Sequence, residues 1–187
     1  MVSIVSLWLP ILLTAVIVFL ISAVLHMVLR YHWGDFKEIP GESTVLQTIR
    51  TANVPPGDYA FPRPKDPKEM KTPEFQERYR QGPVGFLTVV PSGGTAMGKS
   101  LVQWFLYTLV VGVFVAYVTG RTVPPGAEYM SVFRVAGTVA FIAFAGSQPM
   151  ISIWEKRSWS TTWKHVFDGF VYGLLTAGAF AGFWPGG

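Results

Sequence analysis

The chain has no cysteine among its 187 residues, which excludes disulfides, thiolate metal sites, iron–sulfur clusters and cysteine catalysis. It also carries little charge: Asp, Glu, Lys and Arg make up 14% of the residues, whereas 50% are hydrophobic. Disordered chains have the opposite balance, so this class is excluded as well. The net charge of +4 comes from basic residues that membrane topology explains, and we therefore predict no nucleic-acid partner.

The hydrophobic residues lie in four long blocks that are nearly free of charge, and each block is about long enough to cross the hydrocarbon core of a bilayer. The predicted transmembrane helices are residues 4–29, 101–119, 129–146 and 167–184. The first block is too long for a signal peptide and lacks a basic start, so we expect it to be retained. The sequence thus predicts an all-α membrane protein with four transmembrane helices, helix 1 in residues 1–30 and the other three in residues 101–187.

A polar, proline-rich segment, residues 31–100, separates the first two predicted spans. Because roughly 70 residues are near the lower limit for an independent core, we expect this segment to be largely irregular and to lie on the membrane surface or on a partner. Short helices are predicted at 42–52 and 75–81, and residues 53–64 have the composition of turns and polyproline. Residues 86–90 favour one short strand, which has no predicted sheet to join.

The distribution of Lys and Arg predicts the orientation in the membrane. Thirteen of the fifteen basic residues lie in segment 30–100 or in the loop before the fourth span. The positive-inside rule then places residues 31–100 in the cytoplasm and both termini in the periplasm, for a multi-pass protein of the bacterial inner membrane. The seven tryptophans lie at or near predicted span ends, as expected for indole rings at the headgroup level.

One stretch, Gly93 to Ser100, fits the G-x-x-x-x-G-K-S phosphate-binding pattern. That motif functions where its helix packs in a parallel sheet beside a carboxylate that binds magnesium. Here the following helix is a predicted span, and too little polar chain remains to build such a sheet. We therefore predict that Lys99 anchors a span at the interface and that the chain binds no nucleotide.

The three histidines are candidates for holding a cofactor, because imidazole can ligate haem, a chlorophyll-type magnesium or a transition metal. His26, His32 and His165 are all predicted on the cytoplasmic side, so a cluster is possible. No pair has the spacing of ligands on one helix. We predict no bound cofactor and no metal site; if a pigment or haem is bound, the candidate ligands are His26 and His165.

Arg134 and Asp168 are the notable polar residues inside predicted spans, because an ionised group in hydrocarbon is costly and usually has a partner or a function. We place them at opposite ends of neighbouring helices, so a mutual pair is not expected. Glu128 is a candidate partner for Arg134, and Lys164 lies one helical turn before Asp168. A transport path would require more such groups at the midplane.

Small residues spaced four apart let helices approach closely in lipid. The predicted helix-packing residues are Gly112 and Ala116 in the second span, and Gly169, Gly173, Gly178 and Gly182 in the fourth. In a four-span protein this pattern usually serves internal packing, and it also suits docking to another membrane subunit.

Four stretches resemble a family of uncharacterised bacterial four-span membrane proteins: SLWLPIL at 6–12, QGPVGFLTV at 81–89, MGKSLVQWF at 97–105 and KHVFDG at 164–169. The resemblance covers most of the chain. It implies the four-span fold and the bacterial inner membrane, and it implies no catalytic residues.

No arrangement of carboxylates, histidines or serines has the spacing of a known catalytic site, so we predict that the chain is not an enzyme. The leading hypothesis is a non-catalytic accessory subunit of a larger inner-membrane complex, a photosynthetic reaction centre with its antenna or a respiratory complex. Its partners would be other integral membrane subunits and the lipid bilayer. The alternatives are a small transporter or channel that uses Arg134, Asp168 and His26, and a cofactor-binding membrane protein that uses His26 or His165.

Overall fold

The computed structural model describes residues 1–93 and 97–186 and is mostly helical. The chain forms two compact units, a helical unit of Met1–Phe36 with Ala96–Gly187 and a smaller unit of Lys37–Thr95. The sequence stretch at 93–100 with the phosphate-binding pattern lies partly outside the described residues, which omit 94–96.

In chain order the helices are α1 (Trp8–Ala23), α2 (Glu42–Thr51), α3 (Pro73–Gln81), α4 (Met97–Thr122), α5 (Tyr129–Ala145), α6 (Gln148–Trp154) and α7 (Trp159–Gly182). The two strands are β1 (Gly57–Phe61) and β2 (Gly85–Val89). A 3₁₀ turn, Val5–Leu7, precedes α1, and a π-helical turn, Val24–Val28, follows it.

Three helical stretches of the described chain are long and apolar enough to cross a membrane: Val5–Val28, Met97–Thr122 and Tyr129–Trp154. Two of them contain the second and third predicted spans, and the first predicted span, 4–29, extends one residue beyond Val5–Val28 at each end. The fourth predicted span falls within α7, which begins eight residues before it and carries Lys164, His165 and Asp168 in its first half. These polar residues lower the mean hydropathy of α7, so that α7 is not among the stretches that are both long and apolar enough to cross a membrane.

The core of the helical unit lies where α7 packs along α5, with α1 against both α4 and α7. Alanines and glycines allow the close contact of α5 and α7: a Cβ added to Gly173 would lie 3.2 Å from the Cβ of Phe141, and one added to Gly169 would lie 2.7 Å from the Cβ of Ala145. On α4, Gly112 packs against Ile11 of α1.

The other predicted packing residues differ among themselves. Ala116 is fully buried in the core. A Cβ on Gly178 would make only an ordinary contact with the Tyr129 hydroxyl, whereas one on Gly182 would have no neighbour within 4 Å among the described residues. Most of the predicted small residues therefore lie at contacts within the helical unit, whereas a Cβ at Gly182 would contact no neighbouring element among the described residues.

The smaller unit contains an antiparallel sheet of β1 and β2, with pairs running from Gly57↔Val89 to Phe61↔Gly85. The strand predicted at 86–90 is thus present to within one residue, but the expectation that it has no sheet to join is wrong. Its partner β1 lies inside the segment predicted as turns and polyproline. Prolines flank β1 on both sides but do not interrupt it, so its backbone N–H groups are available for pairing.

Both helices of this unit begin with recognisable sequence signals. The Thr72 hydroxyl accepts a hydrogen bond from the Phe75 N–H at 3.2 Å, and Pro73 occupies the first helical position of α3. Gly41 precedes α2 with φ +70°, a conformation that favours glycine. The helices predicted at 42–52 and 75–81 correspond to α2 and α3.

A buried polar network fixes the turn between α6 and α7. Thr162 is fully buried, and its hydroxyl lies 2.5 Å from the Ser152 hydroxyl. The Arg157 guanidinium donates to Thr162 Oγ1 at 3.0 Å and to Gln148 Oε1 at 2.8 Å. Thr162 contacts both Ser152 and Arg157, so removing its hydroxyl breaks the network between them.

We expect Thr162→Val to lower the free energy of unfolding by about 1–2 kcal/mol, because the substitution keeps the volume but leaves buried polar partners without their hydrogen bonds. Denaturant or thermal unfolding of the purified chain in detergent measures the difference. Thr122→Val is the matched control, since the Thr122 hydroxyl is exposed and bonds only to backbone carbonyls of its own helix. Equal losses for the two variants would contradict a special role for the network.

Candidate metal centre

Two segments that are distant in sequence supply the residues of the site. After the π-helical turn, the chain turns at Arg30, whose φ is +53°, and forms a 3₁₀ turn at Trp33–Asp35. The second segment is the first half of α7. All the side chains described below belong to the helical unit.

Asp168 lies at the centre of the site and is only 2% exposed. Its Oδ2 atom lies 2.8 Å from His32 Nε2, 3.8 Å from His26 Nε2 and 3.9 Å from His165 Nδ1. Its Oδ1 atom accepts a hydrogen bond from the Tyr31 hydroxyl. Three imidazole nitrogens therefore converge on one oxygen of a buried carboxylate.

A contact with Asp35 orients the His32 ring through the ring nitrogen that does not face Asp168. His32 Nδ1 lies 2.6 Å from Asp35 Oδ2, and since an ionised carboxylate only accepts, this nitrogen carries the proton. The Lys164 ammonium donates to Asp35 Oδ1 at 2.6 Å and to the Tyr31 carbonyl at 2.7 Å. Lys164 thereby compensates the charge of Asp35 and ties α7 to the chain that follows α1.

The tautomer of His26 follows from its position in the π-helical turn. His26 Nδ1 lies 3.0 Å from the carbonyl oxygen of Ser22, which accepts but cannot donate, so Nδ1 carries the proton. In the neutral ring, Nε2 then has a lone pair on the side of Asp168. The His26 and His32 rings stack with centroids 4.3 Å apart, which holds both imidazoles in a fixed arrangement.

The arrangement suits a metal ion. The four candidate ligand atoms, from His26, His32, His165 and Asp168, all lie within 4.8 Å of one another. Metal–ligand bonds of 2.0–2.1 Å in a tetrahedron place neighbouring ligand atoms about 3.3 Å apart. The three distances to Asp168 Oδ2 lie on both sides of that value, so small side-chain rotations would satisfy the geometry.

The outer residues resemble the supporting shell that metal ligands usually have. His32 donates its second ring N–H to a carboxylate, His26 donates its own to a backbone carbonyl, and Asp168 accepts from a tyrosine hydroxyl. Burial raises the pKa of Asp35, but hydrogen bonds from Lys164 and His32 outweigh this effect, so the pKa of Asp35 lies below its usual value. Asp35 therefore stays ionised and keeps the proton of His32 on Nδ1.

The structure brings some of the candidate residues together and leaves others apart. His26, His165 and Asp168 meet in the cluster, together with His32. Lys164, one turn before Asp168, pairs with Asp35 instead of with Asp168. Arg134 is exposed on α5, and residues 1–93 and 97–186 contain no ion pair between it and Glu128. A path that combines Arg134 with Asp168 and His26 therefore receives no support from these contacts.

Sequence reasoning assigned no metal ligands, and it overlooked Tyr31 and Asp35. A signal for the site exists in the sequence: the pattern H-x-x-D occurs at His32–Asp35 and again at His165–Asp168. Each copy follows or begins a predicted span on the same side of the membrane. Two such copies on one side could have indicated a shared centre, although only the three-dimensional structure shows that they meet.

Comparison of the chain with protein-family models, with curated proteins and with solved structures finds no match. The chemistry of the site is thus inferred from the geometry of this chain alone. The resemblance to bacterial four-span membrane proteins stays a prediction.

Proposed function

We propose that the protein is a membrane protein that binds a divalent transition-metal ion between His26, His32, His165 and Asp168. One observation carries the proposal: three imidazole nitrogens converge on one buried carboxylate oxygen. These atoms stabilise a cation that lies between them. Without a cation their lone pairs face each other, which is unfavourable in a buried site.

Acceptor atoms face each other in this cluster, and a cation between them would satisfy their lone pairs. His26 Nε2 and Asp168 Oδ2 are both acceptors, and they lie 3.8 Å apart with no shared hydrogen. Whenever the His32 ring is neutral, His32 Nε2 is also an acceptor, and it lies 2.8 Å from Asp168 Oδ2. A metal ion between these atoms binds all the lone pairs at once, whereas a proton on His32 satisfies only one contact.

The donor set indicates which metals fit. Three imidazoles and one carboxylate suit Zn²⁺, Cu²⁺, Fe²⁺ or Ni²⁺, whereas Mg²⁺ and Ca²⁺ prefer oxygen ligands. Four protein ligands fill a tetrahedral zinc site and leave no open position, which is typical of structural rather than catalytic zinc. A bound ion would clamp the segment after α1 to α7, and this role agrees with the hypothesis of a non-catalytic protein.

Metal analysis tests the proposal directly. The full-length chain is purified from native membranes in mild detergent, and its metal content is measured by mass spectrometry. We expect about one transition-metal ion per chain, as for a single four-ligand site. After removal of the ion, Co²⁺ should bind and give the intense visible bands of tetrahedral nitrogen–oxygen coordination, and excess Mg²⁺ should not displace it.

A protein that is purified without metal and takes up neither Zn²⁺ nor Co²⁺ would contradict the metal site. In that case a proton shared by His32 and Asp168 would be the better account of the cluster. The same preparation supports a second measurement, because proteins that co-purify in constant ratio can be identified from it.

We also propose that α7 is a fourth membrane span, that residues 31–100 face the cytoplasm with both termini in the periplasm, and that the protein is an accessory subunit of an energy-transducing complex of the bacterial inner membrane. The basic residues that lie outside the three apolar stretches support the orientation. A structural metal site within the helical unit supports the non-catalytic role. A solitary particle in native gels and mass spectrometry would contradict the accessory-subunit proposal.

A further inference from the structure

A cavity of about 590 Å³ lies in the helical unit, between α1, α4, α7 and the junction of α5 and α6. Its volume is within the range of small-molecule sites. Aromatic side chains form much of its wall: Trp104 stacks on Tyr107 with centroids 5.6 Å apart, and Phe144 meets Tyr172 edge to face at 5.4 Å. Flat aromatic faces of this kind favour a planar, ring-shaped ligand.

Neutral polar groups of the cavity come from Ser22, Ser100, Ser147 and Gln148, whereas its histidines and its carboxylate lie at the candidate metal centre. His26, His165 and Asp168 line it there, and the described lining contains no Lys or Arg. A phosphate or carboxylate headgroup would find no Lys or Arg side chain to pair with in this lining, and burial of an unpaired charge is unfavourable. The head of the ligand is therefore neutral, with oxygen atoms that can take part in hydrogen bonds.

A second, apolar cavity of about 330 Å³ adjoins the first and shares Phe19 and Leu101 with it. Its other lining residues in the described chain are all apolar: Val16, Leu20, Val102, Phe105 and Leu106. They belong to α1 and α4, which lie within stretches long and apolar enough to cross a membrane. This second cavity suits a hydrocarbon tail attached to a ring in the first.

We infer that the two cavities bind a lipophilic quinone or quinol, with the ring between the aromatic side chains, one ring oxygen toward His165, and its tail between α1 and α4. The inference rests on the proposed metal site in one respect. When His165 Nδ1 binds a metal, its proton resides on Nε2, which is then a donor for a quinone oxygen. The shapes of the cavities and the absence of Lys and Arg from the described lining do not depend on the metal.

Binding of decylubiquinone to the full-length chain in detergent tests the inference, with equilibrium dialysis as the readout. The same ring without the decyl tail and a short-chain phosphatidylglycerol are the comparison ligands. We expect decylubiquinone to bind at least about tenfold more tightly than either, because only it fills both cavities with a neutral head. Equal binding of the tailless ring, or tighter binding of the phospholipid, would overturn the inference.

Two variants that fill the first cavity locate the site. Ala23→Trp places a large ring in the lining, and Ser100→Trp does so from an exposed position of α4, where folding is little affected. Each should weaken decylubiquinone binding about tenfold or more. Val113→Trp, on the exposed face of α4 and outside both linings, is the control. Unchanged binding in both cavity variants would overturn the inference.

Separate measurements of metal binding and of decylubiquinone binding distinguish a failure of this inference from a failure of the metal proposal. If the chain binds no metal but binds decylubiquinone with the expected preference, the metal site is wrong and the quinone site stands. If metal binds in the expected ratio but decylubiquinone shows no preference, the quinone site is wrong and the metal site stands.

Discussion

Asp168→Asn is expected to lower the affinity of the chain for Zn²⁺ by more than about 100-fold, since even changes in groups that support metal ligands typically cost 10–100-fold. The substitution keeps the size of the side chain and removes the carboxylate that the three imidazoles share. The amide carries no negative charge, and its N–H₂ group is a donor that offers no lone pair to a metal ion. Competition with a Zn²⁺-binding dye in detergent measures the change.

A graded pair of controls shows whether the effect arises at the site. Asp35→Asn should weaken Zn²⁺ binding about 10–100-fold, because Asp35 supports His32 without joining the four ligands. Asp58→Asn should leave it unchanged, since Asp58 lies in the smaller unit and bonds to Thr88. If Asp168→Asn and Asp58→Asn bind Zn²⁺ equally well, any metal in the protein is held elsewhere.

Gly169→Leu is expected to lower the free energy of unfolding by at least about 3 kcal/mol, at the upper end of the cost of overpacking. A Cβ at this position would lie 2.7 Å from the Cβ of Ala145 and 3.1 Å from its backbone nitrogen. The obstacle includes backbone, which cannot rotate away, so α5 and α7 must separate. Thermal unfolding in detergent and the yield of folded protein measure the loss.

Gly182→Leu is the matched control, because both glycines belong to α7 and to the same small-residue pattern. Gly182 is exposed, and a Cβ there would meet no atom within 4 Å among the described residues. We expect this variant to be nearly as stable as the parent chain. A comparable loss at both positions would show that Gly182 packs against something outside this chain, as the docking hypothesis for the glycines requires.

The sequence predicted the three apolar helical stretches well, because long blocks that are nearly free of charge leave few alternatives. It predicted β2 but missed β1, since the five residues from Gly57 to Phe61 are surrounded by prolines and their partner lies about thirty positions later. Single short strands have no periodic pattern long enough to stand out. The sheet is a long-range pairing that local composition does not reveal.

The site was predictable only in part, and for a physical reason. The topology predicted from Lys and Arg put His26, His32 and His165 at the same side of the membrane, which indicated that they could lie in one region. It did not show that Asp168 is at their centre, because this depends on the turn at Arg30 and on the rotation of α7. Tyr31 was overlooked for the same reason, since a loop that folds back has no periodic pattern, whereas Asp35 was overlooked although the repeated H-x-x-D pattern includes it.

The contact between His32 and Asp168 joins residues 136 positions apart in the chain. During synthesis, the segment with His26 and His32 is therefore made long before α7, and until then these two histidines lack the Asp168 carboxylate. The four proposed ligands can meet only after α7 has been synthesised. Loading of an ion at the proposed site would therefore follow the synthesis of α7, and a chain that stops before α7 would lack two of the four ligands.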